Sequence, residues 1–310
     1  LLGSGVGLIA GAIVAVYPFM WINDGMLMSE SLVVLMAALT LAAAYSFVAN
    51  PRPRQAVLLG LACAGSALTR SEMLLLLPLL VVPLALLVRT LPWKRRVALG
   101  AIGCGVALAV IAPWVTYNLS RFEEPVFLST GVGQTLQAGA CDKVFYGELT
   151  GYYWPCFSAP ASAETLDESQ RDVILRDHAF DYLDAHRSRI PVVVAARIGR
   201  VWGVFAPGNT TMMDWWFEGR GRAPSWISLF FYYAMIPFAV VGIVTMWRRK
   251  ITLVPIAALA VIVTFAAAIA FGITRYRAPF EVALALVAAI GIHVTWRALR
   301  SRGARAVESA

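Results

Sequence analysis

Residues 55–88 read QAVLLGLACAGSALTRSEMLLLLPLLVVPLALLV. Two apolar runs flank a short polar break, Thr69-Arg70-Ser71-Glu72. The first run, Gln55 to Thr69, spans only about 22 Å as a helix at about 1.5 Å per residue. The stretch is therefore either one broken crossing of a bilayer or a hairpin of two. The flanking charges decide between them. Arg52 and Arg54 precede it, and Arg89, Lys94, Arg95 and Arg96 follow it. Basic links face the cytoplasm, so an even number of crossings separates these two. Residues 55–88 are predicted to be a hairpin whose tip, Arg70 to Glu72, lies at the outer face.

The same logic extends along the chain. Apolar stretches near the length of a membrane helix occur at 3–21, 27–49, 55–69, 73–88, 97–117, 226–246, 251–273 and 279–296. Arg248, Arg249 and Lys250 follow the sixth, and Arg297, Arg300, Arg302 and Arg305 follow the eighth. The short links at 22–28, 69–72 and 274–278 carry few basic residues. One alternation satisfies every link, with both ends of the chain inside. Open strands cannot span lipid, so the expected fold is an all-α polytopic membrane protein with about eight spans and one large extracytoplasmic segment. The expected division is 1–117 (spans one to five), 118–225 (outer segment), 226–297 (spans six to eight) and 298–310 (basic cytoplasmic tail). The expected location is the plasma membrane.

Composition agrees. Of 310 residues, 59% are hydrophobic and 14% charged, with a mean hydropathy of +0.71. Those values exclude an ordinary soluble enzyme and a disordered chain. The net charge of +8 is topological, because residues 118–225 carry 13 acidic and 10 basic residues. No basic nucleic-acid surface is predicted. The chain opens at Leu1 inside an apolar run, without the features of a signal peptide, so further sequence is expected upstream.

Within 118–225, Thr165-Leu166-Asp167-Glu168 matches a capping box and predicts a helix over 166–187 with Ile174, Ala179, Tyr182 and Leu183 inward. Pro191 opens a second helix, Val192 to Phe205. Its Arg197 and Arg200, beside Trp202, suggest a helix lying in the membrane interface. Asp214-Trp215-Trp216-Phe217 is a second interfacial candidate. Cys141 and Cys156 share this segment, and an oxidising exterior favours their pairing. Cys63 and Cys104 fall in spans and are expected to be packing residues. No metal site is predicted. His178 and His186 read as surface residues.

Five charged residues fall at the outer rim: Glu30, Arg70, Glu72, Arg275 and Arg277. Charge at that depth is costly unless it faces a cavity or bundle interior. The planar guanidinium fork suits phosphate oxygens. A lipid-linked phosphate would sit at this depth, with the carboxylates holding the arginines or binding sugar hydroxyls. The plainer alternative is local pairing of Arg70 with Glu72, with Arg275 and Arg277 reaching headgroups.

Four stretches together resemble the GT-C superfamily of membrane glycosyltransferases, in particular bacterial family 39 and the protein O-mannosyltransferases. They are Met28-Ser29-Glu30-Ser31, Leu68-Thr69-Arg70-Ser71-Glu72, Ala112-Pro113-Trp114 with Asn118, and Thr274-Arg275-Tyr276-Arg277-Ala278-Pro279. The family often has Pro where Ser71 stands. The resemblance implies a polyprenyl-phosphate sugar donor and transfer to an extracytoplasmic lipid, glycan or protein acceptor. It implies no organic cofactor, and a divalent cation is compatible with it. The family's base is usually an Asp of the first outer loop, expected upstream of Leu1. Asp24 lies in a later loop and is a weak candidate. The main rival is a transporter or flippase for a lipid-linked or anionic substrate, followed by a non-catalytic membrane scaffold.

Overall fold

A computed structural model describes residues 3–26, 28–157 and 163–308, with side chains to residue 301. Among the described residues the chain is all-helical, with no strand. The elements are α1 Ser4–Val16, α2 Pro18–Trp21, α3 Glu30–Ala49, α4 Pro53–Thr69, α5 Ser71–Leu87 and α6 Trp93–Arg121. The polar segment expected outside, the outer segment of the sequence analysis, holds α7 Val132–Ala138, α8 Asp142–Phe145, α9 Glu168–Ala185, α10 Ile190–Val201 and α11 Pro207–Glu218. Three helices close the chain: α12 Arg222–Arg248, α13 Val254–Ile269 and α14 Ala278–Glu308. A 3₁₀ turn, Thr274–Arg277, leads into α14.

Four helical stretches are long and apolar enough to cross a membrane: Glu30–Ala49, Trp93–Arg121, Arg222–Arg248 and Thr274–Ser301. Ser4–Val16, Ser71–Leu87 and Val254–Ile269 are shorter apolar helices. Each of the eight stretches expected from sequence lies largely in helix, but length and composition alone qualify only these four. Residues 55–88 do break where the polar tetrad stands. α4 ends at Thr69, Arg70 is extended, and α5 starts with a 3₁₀ turn over Ser71–Leu75. α5 then widens to π geometry over Leu77–Val81, where Pro78 lacks the N–H that an α-helix would use.

α12 and α14 pack backbone to backbone. A Cβ at Gly242 would strike the Val287 carbonyl, and one at Gly291 the Phe238 carbonyl. Small residues at both faces permit this approach, the usual device where lipid removes the hydrophobic drive between helices. The apolar core runs between α1 to α6 and α12 to α14. Leu35, Leu39, Leu58, Leu61, Phe230, Val240 and Trp247 point outward.

In the outer segment α9 starts two residues later than the capping box predicts. Its N-cap is Asp167, whose side chain takes the Gln170 N–H at 2.8 Å while the Gln170 side chain accepts the Asp167 N–H. Asp167 also takes the Glu123 N–H at 2.9 Å and the Ser169 hydroxyl at 2.7 Å. These donors hold its carboxyl down at about 2. Ala179 is buried, whereas Ile174, Tyr182 and Leu183 are only partly so. Cys141 and Cys156 are joined by a disulfide with Cα atoms 6.1 Å apart. His178 stacks on Phe157 and His186 on Tyr182.

The interfacial reading of Arg197 and Arg200 is corrected. Both are buried, 5% and 0% exposed. Arg197 donates to the carbonyls of Ala268 and Ile269 at 3.1 and 3.0 Å, satisfying the end of α13. Arg200 donates to Thr150 O at 2.7 Å, Thr210 Oγ1 at 2.8 Å and Asn209 Oδ1 at 2.9 Å. Burial lowers both guanidiniums to about 10, still charged at neutral pH. They bolt the outer segment together and to α13 rather than to headgroups. In the second interfacial candidate, Asp214 is buried and Trp216 is 62% exposed.

Candidate functional site

Three chain breaks meet at one end of the helices. Glu30 opens α3, Arg70 separates α4 from α5 with Glu72 in the first turn beyond, and Arg275 lies in the 3₁₀ turn before α14. Their side chains form one ionic network. Arg70 Nη1 donates to Glu30 Oε1 at 2.8 Å, and Arg70 Nε to Glu72 Oε1 at 2.6 Å. Arg275 Nε approaches the same Glu30 oxygen at 3.2 Å. The Arg70 guanidinium lies 5.0 Å from the centre of the Tyr276 ring. Glu30 is 3% exposed, Arg70 10%, Glu72 22% and Arg275 27%, so Arg275 is the most accessible member and Glu30 the most sealed.

These four residues line a cavity of about 350 Å3, joined by Ser29, Tyr276 and, from the outer segment, Ser129 and Thr135. The outer wall is set by α6. Trp114 Nε1 donates to Leu128 O at 2.8 Å, and Asn118 Nδ2 to Phe127 O at 3.3 Å. The Ala-Pro-Trp and Asn118 stretch therefore holds the loop that reaches the cavity and does not enter it. A second hollow of about 250 Å3 shares Arg70, Glu72 and Tyr276 and runs over Leu136, Phe265, Ala266 and Ile269. Phe265 and Ile269 are about half exposed, at 47% and 48%. A polar chamber thus adjoins an apolar one that leads to the helix surface.

Arg277 does not belong to this chamber, contrary to the expectation of a common cavity. It is 2% exposed, paired with Glu281, and donates to Val201 O at 3.0 Å. Its guanidinium lies 3.6 Å over the Tyr232 ring. The reason is local geometry: in a 3₁₀ turn of about three residues, side chains two apart point about 120° away from each other. Arg275 and Arg277 cannot share one target. Asp24 is exposed, its carboxylate accepts the Ser31 hydroxyl, and it lines neither hollow. Among the described residues, no group of three or more His, Cys, Asp or Glu is placed to hold a metal ion.

Sequence reasoning missed Glu218 and Arg220. Both side chains are 3% exposed and pair at 2.5 Å, and Glu218 Oε1 lies 3.6 Å from Arg275 Nε. Gly219 makes the return possible, with φ of 66° in the left-handed region that suits glycine. Burial pushes the Glu218 carboxyl up to about 7; Arg220 and Arg275 oppose the rise, and Asp214 and Glu30 add to it. Asp214 accepts the Tyr152 phenol at 2.8 Å and the Thr274 N–H at 3.3 Å. Burial, followed by Asp214, raises the Tyr152 phenol. The one available signal was a Glu-Gly-Arg turn after an amphipathic aromatic stretch, which on its own is common surface chemistry.

The arrangement can bind an anion through two guanidinium forks held by carboxylates, with an apolar channel alongside. No protein-family model, curated protein or solved structure matches this chain.

Proposed function

We propose that the protein is a polytopic membrane glycosyltransferase that moves a sugar from a polyprenyl-phosphate donor to an extracytoplasmic acceptor. The observation that supports this most directly is the convergence of Glu30, Arg70, Glu72 and Arg275 on one chamber from three separate stretches of chain. Charge at membrane depth is retained chiefly where it serves a site. The adjoining hollow over Phe265 and Ile269 suits a hydrocarbon tail continuous with a phosphate at Arg70 and Arg275. In this reading the chain crosses the membrane eight times, with the chamber and residues 118–225 outside.

The chemistry follows from the forks. The acceptor hydroxyl attacks the anomeric carbon and gives its proton to a carboxylate base. The bond between that carbon and the donor phosphate oxygen breaks, and the lipid phosphate leaves with the electron pair. Arg70 and Arg275 stabilise the charge that grows on the leaving oxygen. Glu30 and Glu72 keep the guanidiniums aimed.

The test is turnover of polyprenyl-phosphate sugars by the full-length protein in detergent, read as release of free lipid phosphate. Product formation without a sealed compartment supports an enzyme. Movement of intact lipid across sealed vesicles, with no turnover in detergent, would overturn the reading in favour of a transporter.

A further inference from the structure

Helix α11 presents two carboxylates four residues apart, Asp214 and Glu218, and hence on one face. Asp214 holds the N–H and hydroxyl of Thr274, and Glu218 meets Arg275. Two consecutive residues of the turn before α14 are therefore tied to a helix of the outer segment. That helix and α3, through Glu30 at 3.2 Å, together set where Arg275 points.

The charges around the chamber leave no positive excess before any ligand enters. Arg70, Arg220 and Arg275 face Glu30, Glu72 and Glu218, and Asp214 adds a further negative charge behind them. An entering anion would add a further negative charge to the buried set, which is costly away from water.

We propose that Glu218 is the positioning residue for Arg275, and that an anionic lipid headgroup enters the chamber together with one proton that Glu218 takes up. Protonation releases Arg275 from Glu218, leaving Glu30 as its carboxylate partner, so that it can turn toward the headgroup, and offsets the charge that the headgroup brings. This rests on the reading of the chamber as a lipid-phosphate site. Glu218 is the group placed for it. It is faced by Arg220 from the turn after α11, Arg275 from the turn before α14, Asp214 on its own helix and Glu30 from α3. Tyr152 and Tyr153 from the disulfide loop complete its surroundings. Neither Glu218 oxygen has a hydrogen-bond partner beyond the two ion pairs, so nothing else holds the charged form. Its carboxyl, at about 7, is neutral below that pH and charged above it. Headgroup binding accordingly weakens as pH rises.

The experiment is calorimetry of polyprenyl monophosphate binding to the full-length protein in detergent, with the matching polyprenol as the uncharged control. Paired buffers of different ionisation enthalpy count the protons. Wild type should take up close to one proton near pH 8 and lose affinity by up to about tenfold per pH unit above about pH 7. Glu218→Gln is neutral at every pH. It should lack that uptake and bind up to about tenfold tighter than wild type near pH 8. The second ionisation of the phosphate, near pH 6, is common to both proteins and cancels in the comparison. Glu218→Asp should retain the uptake, which a purely structural role would not predict. Zero proton uptake by wild type, or the same pH slope in wild type and Glu218→Gln, overturns the inference while leaving the lipid-phosphate reading intact. Wild type that binds the phosphate no better than the polyprenol overturns both.

Discussion

Two ionic clusters lie on either side of Tyr276, and they differ in one respect that decides their roles. In the outer cluster Arg70 and Arg275 share Glu30, with further partners in Glu72 and Glu218, and Arg275 stays 27% exposed to a chamber. In the inner cluster Arg277 and Glu281 meet only each other and protein groups, at 2% and 0% exposure. Each pairs arginine with glutamate, and Arg275 and Arg277 stand only two residues apart. The sealed pair is a structural bolt joining α14 to α10 through the Val201 carbonyl. The open one has guanidinium surface left for something that is not protein.

The sharpest break between the two comes from removing one member of the sealed pair. Arg277→Ala leaves Glu281 buried without its partner and should cost about 3–5 kcal/mol, seen as a collapse of folded protein on size-exclusion chromatography. Arg277→Met with Glu281→Leu should recover most of that loss, because an apolar pair of similar volume removes both buried charges. A single Arg277→Ala variant with wild-type stability would erase the distinction between the clusters.

The complementary change is Arg275→Ala. It should leave thermal stability close to wild type and lower transfer by about 10²–10³-fold, the loss typical of one donor to a developing negative charge. Unchanged turnover would remove Arg275 from the mechanism. The outer cluster also depends on the outer segment, which carries Ser129, Thr135 and Glu218. Cys141→Ser opens the loop closed across 15 residues and should cost about 2–4 kcal/mol in that segment. Faster proteolysis of residues 141–156, with the apolar helices intact, is the readout. The smallest effect concerns Asp167. Its depressed carboxyl contributes stability that is complete above the ordinary carboxylate range and is lost as pH falls through about 2. Hydrogen exchange at the start of α9 should quicken over that acid window, and in Asp167→Ala at all pH values.

Much of this is legible in the sequence. The break at Arg70 follows from four polar residues between two apolar runs, and the structure places it there. Glu30, Arg70, Glu72 and Arg275 stood out because charge beside apolar helices is rare. Arg277 stood out for the same reason and belongs elsewhere. Glu218 and Arg220 were invisible because they lie in a polar segment, where charge is ordinary and only burial makes it notable. Arg197 and Arg200 were misassigned for a related cause. Amphipathic spacing beside Trp202 does not distinguish a headgroup from the carbonyls of Ala268 and Ile269.

Helical class and the position of the apolar runs are properties of short stretches of chain, since hydropathy and helix periodicity act over tens of residues. These the sequence determined by itself. Partnership between charges is a property of distant segments brought within hydrogen-bond range, and it varies over a few ångströms. Only the tertiary structure decided that Arg275 meets Glu30 and Glu218 while Arg277, two residues on, is sealed against Glu281. The turn that separates them is local, but the carboxylates that receive them come from three different helices, α3, α11 and α14.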